Sequence, residues 1–481
     1  MIKNNIADTV KNALIKSVDK HELGSLTELT DEILDGVFIE KARKPEYGDY
    51  SCNISYLSRF AKMPPPKIAA EIIKNIHPDQ QELLNITVTA GFINFSLKAK
   101  WLNSIISNIL EEQDNYGRSD SGGKLKVLLE YVSANPTGPL HIGHGRWAAL
   151  GSCIEEIMNF AGYDVDTEFL INDAGSQMKN LGHSLFLRIL QEDDSDIYFP
   201  VDKEVDSRAG AFYPGEYLVD IAKEYIKQFP EKVISFKEKA TIDDNLYIPD
   251  SDIINDLIIF ARDINLKQQQ DLLKLFKTNI NIWTSETDLH NSGKVDNILE
   301  FLKDSGYLYE KDDAIWFASS KLLDEYDRVV KKSDGSLTYL TADIAYHKDK
   351  YDRGFDHLIN IWGADHHGYV PRMKSAVVAL GKTADSLEVI IGQMVNLIID
   401  GEQVRMGKRK KMLTLEDLVN EVGVDATRFW MVSRSVDTTL DFDVNLAKSA
   451  SDENPVYYVQ YAHARCCSIL RTAIAERIDT D

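Results

Sequence analysis

The string "HIGHGR", His141 to Arg146, sets two imidazoles three residues apart among glycines, directly after the approach "SANPTGPL". Residues three apart on a helix share a face, so a helix starting here presents His141 and His144 together. A helix N-terminus draws anions through its unpaired N–H groups and its dipole. Pro136 and Pro139 stiffen the loop, while Gly138, Gly143 and Gly145 let backbone come close to a ligand. The chemistry that fits is the handling of a phosphate chain that gains negative charge as a bond breaks. Taken alone, the pattern equally permits a structural turn or half of a metal site.

A second charged feature lies far downstream. "RMGKRKK" carries Arg405, Lys408, Arg409, Lys410 and Lys411, which on composition alone reads as a solvated loop. Two acidic residues, one just before the first motif and one between the two, are further candidates, each taken alone a surface ion pair. In "EYVSAN" alternate residues of a strand end point the same way, so Glu130 can face a pocket. In "YLTAD", Tyr339 and Asp343 are four apart on one helical face. "ADHH", Ala364 to His367, lacks the clean spacing of a zinc motif, so no protein-ligated metal is expected.

These residues need elements to hold them. "KVLLEYV" reads as a buried strand, "RWAALGSCIEEIMNFAGY" as a helix stopping at Gly162, and "DVDTEFLI" as the next strand. Strand, helix, strand in that order gives a βαβ unit and a parallel sheet. A second alternation runs from about 336 to 400. Residues 185 to 330, acidic and tyrosine-rich, read as a mostly helical insertion, and from about 414 the chain reads as helical, opening on the cap-like "TLED". The 481 residues exceed one ordinary core, and 27% charged with 44% hydrophobic residues describe a globular protein. No window has the roughly 20 apolar residues of a membrane helix. Four cysteines without a CxxC point to a reduced, cytoplasmic setting. A net charge of −22 excludes bulk electrostatic binding of nucleic acid but not local basic patches.

The longer string "EYVSANPTGPLHIGHGR" resembles the signature of class I aminoacyl-tRNA synthetases, whose HIGH element binds ATP, and in its flanks it resembles the arginyl-tRNA synthetases. "RMGKR" stands where that family carries its mobile KMSKS element, with Arg405 for the first lysine and Gly407 for the serine. The stretch from there to "LTLEDL" is shorter by a residue. The resemblance implies ATP-dependent attachment of L-arginine to tRNA(Arg) through arginyl-adenylate, releasing AMP and pyrophosphate. His141, His144 and Lys408 are then catalytic. ATP falls to His141, Gly143, His144, Gly363, Asp365, His366, Met406 and Lys408, with Mg²⁺ arriving on its phosphates. Arginine falls to Glu130, Ser133, Asn135, His144, Tyr339, Asp343 and His366, with Asp173 and Gln177 of "INDAGSQ" at the border.

"YGDYSCNISYLSRFAK" and "AGFINFSL" are similar to the family's N-terminal tRNA-binding domain, which puts Tyr47, Tyr50, Asn53 and Phe92 on the tRNA. The implied fold class is α/β: a Rossmann-type parallel-sheet catalytic domain (116–412, insertion about 185–330), an N-terminal α+β domain (1–115) and a helical C-terminal region (413–481). That last region matches only the beginning of an anticodon-binding domain, which reads as truncated. A monomer is expected. Two rival readings are a catalytically weak or silent tRNA-binding relative and a tRNA-independent HxGH nucleotidyltransferase. A zinc hydrolase using the histidines is a third.

Overall fold

Apolar runs without alternation form strands covered on both faces. In the computed structural model, which describes residues 2–404 except 202 and 204, and 414–478, five strands build one sheet. They are β1 (Lys126–Glu130), β2 (Asp164–Ile171), β3 (Ile282–Ser285), β4 (His357–Gly363) and β5 (Leu387–Gly392), in the order β5-β4-β1-β2-β3. Every neighbouring pair is parallel. The order reverses beside β1, and the crevice outside the carboxyl ends at such a switch point is where α/β sheets bind ligands. Glu130 ends β1 opposite Asn360 of β4, so the sheet delivers both to that crevice. The parallel α/β class expected from the sequence is the one observed.

The helix α1 (Ile142–Phe160) follows β1 and packs across it; Ala148 and Ala149 are fully buried. Trp147 lies over the end of β5 so closely that a Cβ built on Gly392 would come 1.9 Å from its ring. Nothing but glycine fits there without moving the indole. Gly392→Ala is expected to destabilise the protein by about 2 kcal/mol or more, read as a lowered Tm.

Two stretches differ from expectation. The region 185–330 does not stay outside the sheet: residues 282–285 return to it as β3, the edge strand beside β2. Its first part packs about its own core, with α2 (Ser176–Asp193) against α3 (Ser251–Leu275). Its last part forms a three-stranded antiparallel sheet over 308–331. The short run "IWTS" gives too little periodicity to announce a strand. The region after 414 is likewise not all helix, since Leu440–Asp443 pairs in parallel with Val395–Ile399.

The chain divides into two compact units, the first spanning residues 1–118. In that unit, helices Ile2–Asp19 and Pro65–Lys74 bury Val10, Leu14, Ile68 and Ile72 against a four-stranded antiparallel sheet. Among the described residues no helix is long and apolar enough to cross a membrane.

Candidate active site

The loop after β1 is held from below. Val132 and Ser133 take φ of +71° and +41°, with Ser133 N donating to Tyr131 O at 3.0 Å. A β-branched residue in that region is strained, and such strain persists only where surrounding contacts impose it. Here Ser133 Oγ donates to Glu130 and accepts from Leu170 N at 3.1 Å, and the rest of the loop is held from α3. Gln269 Nε2 donates to Asn135 O (3.1 Å) and Gly138 O (2.8 Å), and Asn265 Nδ2 donates to Pro136 O (3.0 Å). Asn265 and Gln269 are both 1% exposed and four apart in their helix. Sequence reasoning missed them; the available signal was a polar pair at one-turn spacing in a helix that buries that face.

The two histidines cap their own helix. His141 is the N-cap of α1, and its Nδ1 accepts from His144 N at 3.4 Å. His144 Nδ1 accepts from His141 N at 3.2 Å. The rings stack at 3.5 Å. Since both Nδ1 atoms accept, both neutral rings carry their proton on Nε2. Burial lowers His141 below its ordinary range, and burial with the neighbouring ring pushes His144 down to about 3. The pair is therefore uncharged near neutrality and offers two N–H donors.

Arg146 joins this helix to the backbone at Gln393 and Ser435, and Leu415 joins the loop before it to the start of the helix Leu415–Val422. Arg146 is buried, its Nη1 donating to Gln393 O (2.8 Å) and its Nη2 to Ser435 O (2.9 Å). Thr414 bridges to His141, and Leu415 N donates to Leu140 O at 2.9 Å. Thr414 also caps the following helix, Leu415–Val422, reciprocally with Asp417. Met406 and Lys408 lie outside the described residues.

The acidic side of the crevice centres on α4 (Tyr339–Asp352). Asp343 accepts from the Tyr369 hydroxyl. Burial pushes its carboxyl up to about 6 against that hydrogen bond, with the charges of Glu286 and Glu130 adding to the rise and His366 opposing it. The charges of Glu130, Glu286 and His366 thus all bear on Asp343. Glu286, absent from the sequence reading, is itself raised by burial and by Asp173.

Glu130 is not free. Lys350 donates to it, and Ser133 Oγ donates to its Oε1 at 2.9 Å. Burial would raise its carboxyl, but the charge and hydrogen bond of Lys350, with His347 and Ser133, hold it below the ordinary value.

Asn135 donates to Gln177, joining two candidates from separate loops. Asp173 is fully engaged, by Ser285 Oγ (2.9 Å), Thr287 N (3.0 Å) and Arg262 (3.4 Å). That makes it a brace for β3. Tyr339 is 76% exposed, its hydroxyl 4.0 Å from where a Cβ of Gly175 would sit. Gly363 ends β4; Asp365 and His366, just beyond, are exposed and 3.4 Å apart. Among the described residues no three His, Cys, Asp or Glu side chains could hold a metal ion.

The four remaining candidates lie in the first unit. Asn53 and Phe92 are cross-strand partners with exposed side chains, and Asn53 Oδ1 also caps Ser55 N at 3.0 Å. Tyr50 packs partly on the core and Tyr47 is half-buried.

Comparisons with known proteins identify the family. Residues 105–432 match the catalytic domain of class I tRNA synthetases (R), and residues 2–97 match the arginyl tRNA synthetase N-terminal domain. Arginine–tRNA ligase of Geobacillus kaustophilus is 42% identical over 487 residues, covering 100% of this chain and 81% of its own. The Bacillus subtilis enzyme is 41% identical, over 97% and 81%. A solved chain assigned as arginyl tRNA synthetase from Campylobacter jejuni superimposes with a TM-score of 0.69 at 38% identity, covering 78% of each chain. The Thermus thermophilus arginyl-tRNA synthetase, at 19% identity, shares the fold over 98% of this chain and 82% of its own, with a TM-score of 0.65. A crevice at the switch point of a parallel sheet, a self-capped histidine pair and an acidic wall accompany these matches along the whole length, and the chain belongs to the arginyl-tRNA synthetases, class I ligases that use ATP to attach arginine to tRNA.

Proposed function

We propose that the crevice between β1 and β4 carries out both steps of this reaction, with the histidine pair on the phosphates and the acidic wall on the arginine. The arginine carboxylate attacks the α-phosphorus of ATP; the bond to the β-phosphate oxygen breaks and pyrophosphate leaves. A 2′-hydroxyl of the terminal tRNA adenosine then attacks the activated carbonyl, losing its proton as AMP departs with the electron pair. No protein nucleophile is required, so the enzyme contributes position and charge stabilisation.

The observation that carries this reading is the reciprocal cap of His141 and His144, which turns two neutral N–H donors outward at a helix N-terminus. Neutral donors aimed at a developing charge need no proton transfer. Lys408 supplies the full positive charge for the departing pyrophosphate, by the resemblance of "RMGKR" to the family's mobile element. Asp343, Glu130 and Glu286 form the acidic wall, with Ser133, Asn135, Tyr339 and His366 around it. Gly363 and Asp365 border the nucleotide. Mg²⁺ belongs to the ATP phosphates and helps neutralise them; the described residues offer it no cage of their own. Tyr47, Tyr50, Asn53 and Phe92 contact the tRNA, and the enzyme is a cytoplasmic monomer by its resemblance.

The test is arginylation of tRNA(Arg) by the full chain beside Lys408→Ala. The parent is expected to charge tRNA, and the variant to do so about a hundredfold more slowly at unchanged arginine KM. Equal rates would remove Lys408 from the reading.

A further inference from the structure

Below the acidic wall lies a cluster that the reaction as described leaves unused. Lys350 Nζ is fully buried; it contacts Glu130, lies 3.3 Å from Asn360 Oδ1 and 3.9 Å from Glu168, and sits 4.3 Å above the Tyr346 ring. Glu168 is already served by Arg353, at 2.8 and 3.0 Å, and by Thr284. His347 donates from Nδ1 to Asp343 O at 2.8 Å and accepts on Nε2 from Asn360 at 3.0 Å, so it is neutral. Two buried acids thus share one buried cation and one that reaches in from the surface, with Lys350 committed to Glu130 and the partly exposed Arg353 to Glu168. The helix spacing explains the placement: Tyr339, Asp343, His347 and Lys350 form one stripe running from the crevice into the core.

We propose that Lys350 is a positioning residue for arginine recognition, fixing Glu130 and cancelling its charge so that the wall presents two carboxylates with no lysine or arginine partner among the described residues, Asp343, held by the Tyr369 hydroxyl, and Glu286, 4.0 Å from His290. The substrate brings two positive groups, an ammonium and a guanidinium, while its carboxylate goes to ATP. Matching two with two leaves no charge unpaired in the closed complex, and an unpaired buried charge is costly. Without Lys350 the wall holds one acid too many, and Glu130 is free to swing or to take up a proton.

The proposal rests on the reading that Glu130 lines the arginine pocket, and the variants separate the two. Lys350→Met is expected to raise KM for arginine by about thirtyfold with KM for ATP unchanged. Glu130→Gln, which strands the lysine, raises it comparably. The double variant Glu130→Gln/Lys350→Met, with both charges gone, recovers about tenfold over either single one. If Glu130→Gln leaves KM for arginine unmoved, the pocket reading fails. If Glu130→Gln raises it and Lys350→Met does not, or if the double variant recovers nothing, the role of Lys350 is overturned. Should Lys350→Met fail to fold, the comparison of Glu130→Gln with the double variant carries the same test, since adding the second substitution must then lower KM.

Discussion

Replacing Asp343 by asparagine lowers kcat/KM for arginine by about a thousandfold while KM for ATP stays within a few-fold. A charge-assisted bond to a desolvated cation is worth about 2–5 kcal/mol, and each 1.4 kcal/mol is a factor of ten. Asparagine keeps the size and still accepts from Tyr369, so the change isolates the charge. The pH dependence has a definite sign. With its carboxyl raised to about 6 from an ordinary 3.8, Asp343 loses charge as pH falls through 6, and KM for arginine climbs there in the parent but not in the variant. For stability the sense is opposite. Between about pH 4 and 6 the folded state holds a proton that the unfolded chain has released, so this group's contribution declines as pH rises across that window. At pH 7.5 the asparagine variant should therefore melt higher than the parent, and the advantage should vanish near pH 4. Arginylation kinetics and thermal melts across pH check both statements; a variant that charges tRNA normally would take Asp343 out of the pocket.

His144→Asn is expected to lower the rate of adenylate formation by about 100- to 1,000-fold with little change in Tm. The asparagine oxygen can replace Nδ1 as the acceptor that caps His141 N, but nothing replaces the Nε2–H. One preorganised donor lost at a developing charge costs about that much. His144→Gln inverts the split, keeping a distal N–H donor and losing the cap, so it should melt lower yet react faster than the asparagine variant. ATP–pyrophosphate exchange with arginine and tRNA present measures the rate, and calorimetry measures the cap. With His144 near 3, the exchange rate should show no titration between pH 6 and 7 from this pair. The stability linked to it is present above about 6.5 and is lost as pH falls toward 3, because there the unfolded chain takes up the proton first. If both variants lose rate equally, the Nε2–H has no special part.

The sequence by itself determined what depends on neighbours along the chain. The three-residue spacing of His141 and His144 after a stiff loop sets a capped helix start, and the four-residue spacing of Tyr339 and Asp343 places them on one helical face. The run "KVLLE" is a strand because its centre, Val127 to Leu129, is apolar without alternation. Each follows from short-range sterics and periodicity, which any reader of the string can compute. What only the tertiary structure decided are partnerships between distant segments. Lys350 meets Glu130 across 220 residues, Gln269 reaches under Gly138 across 131, and Arg146 ties Gln393 to Ser435. Residues 282–285 become the edge strand because β2 offers an open side, not because their own pattern demands it. A buried polar group accepts whichever complementary group packing brings within about 3 Å, and nothing local in the chain names that partner in advance.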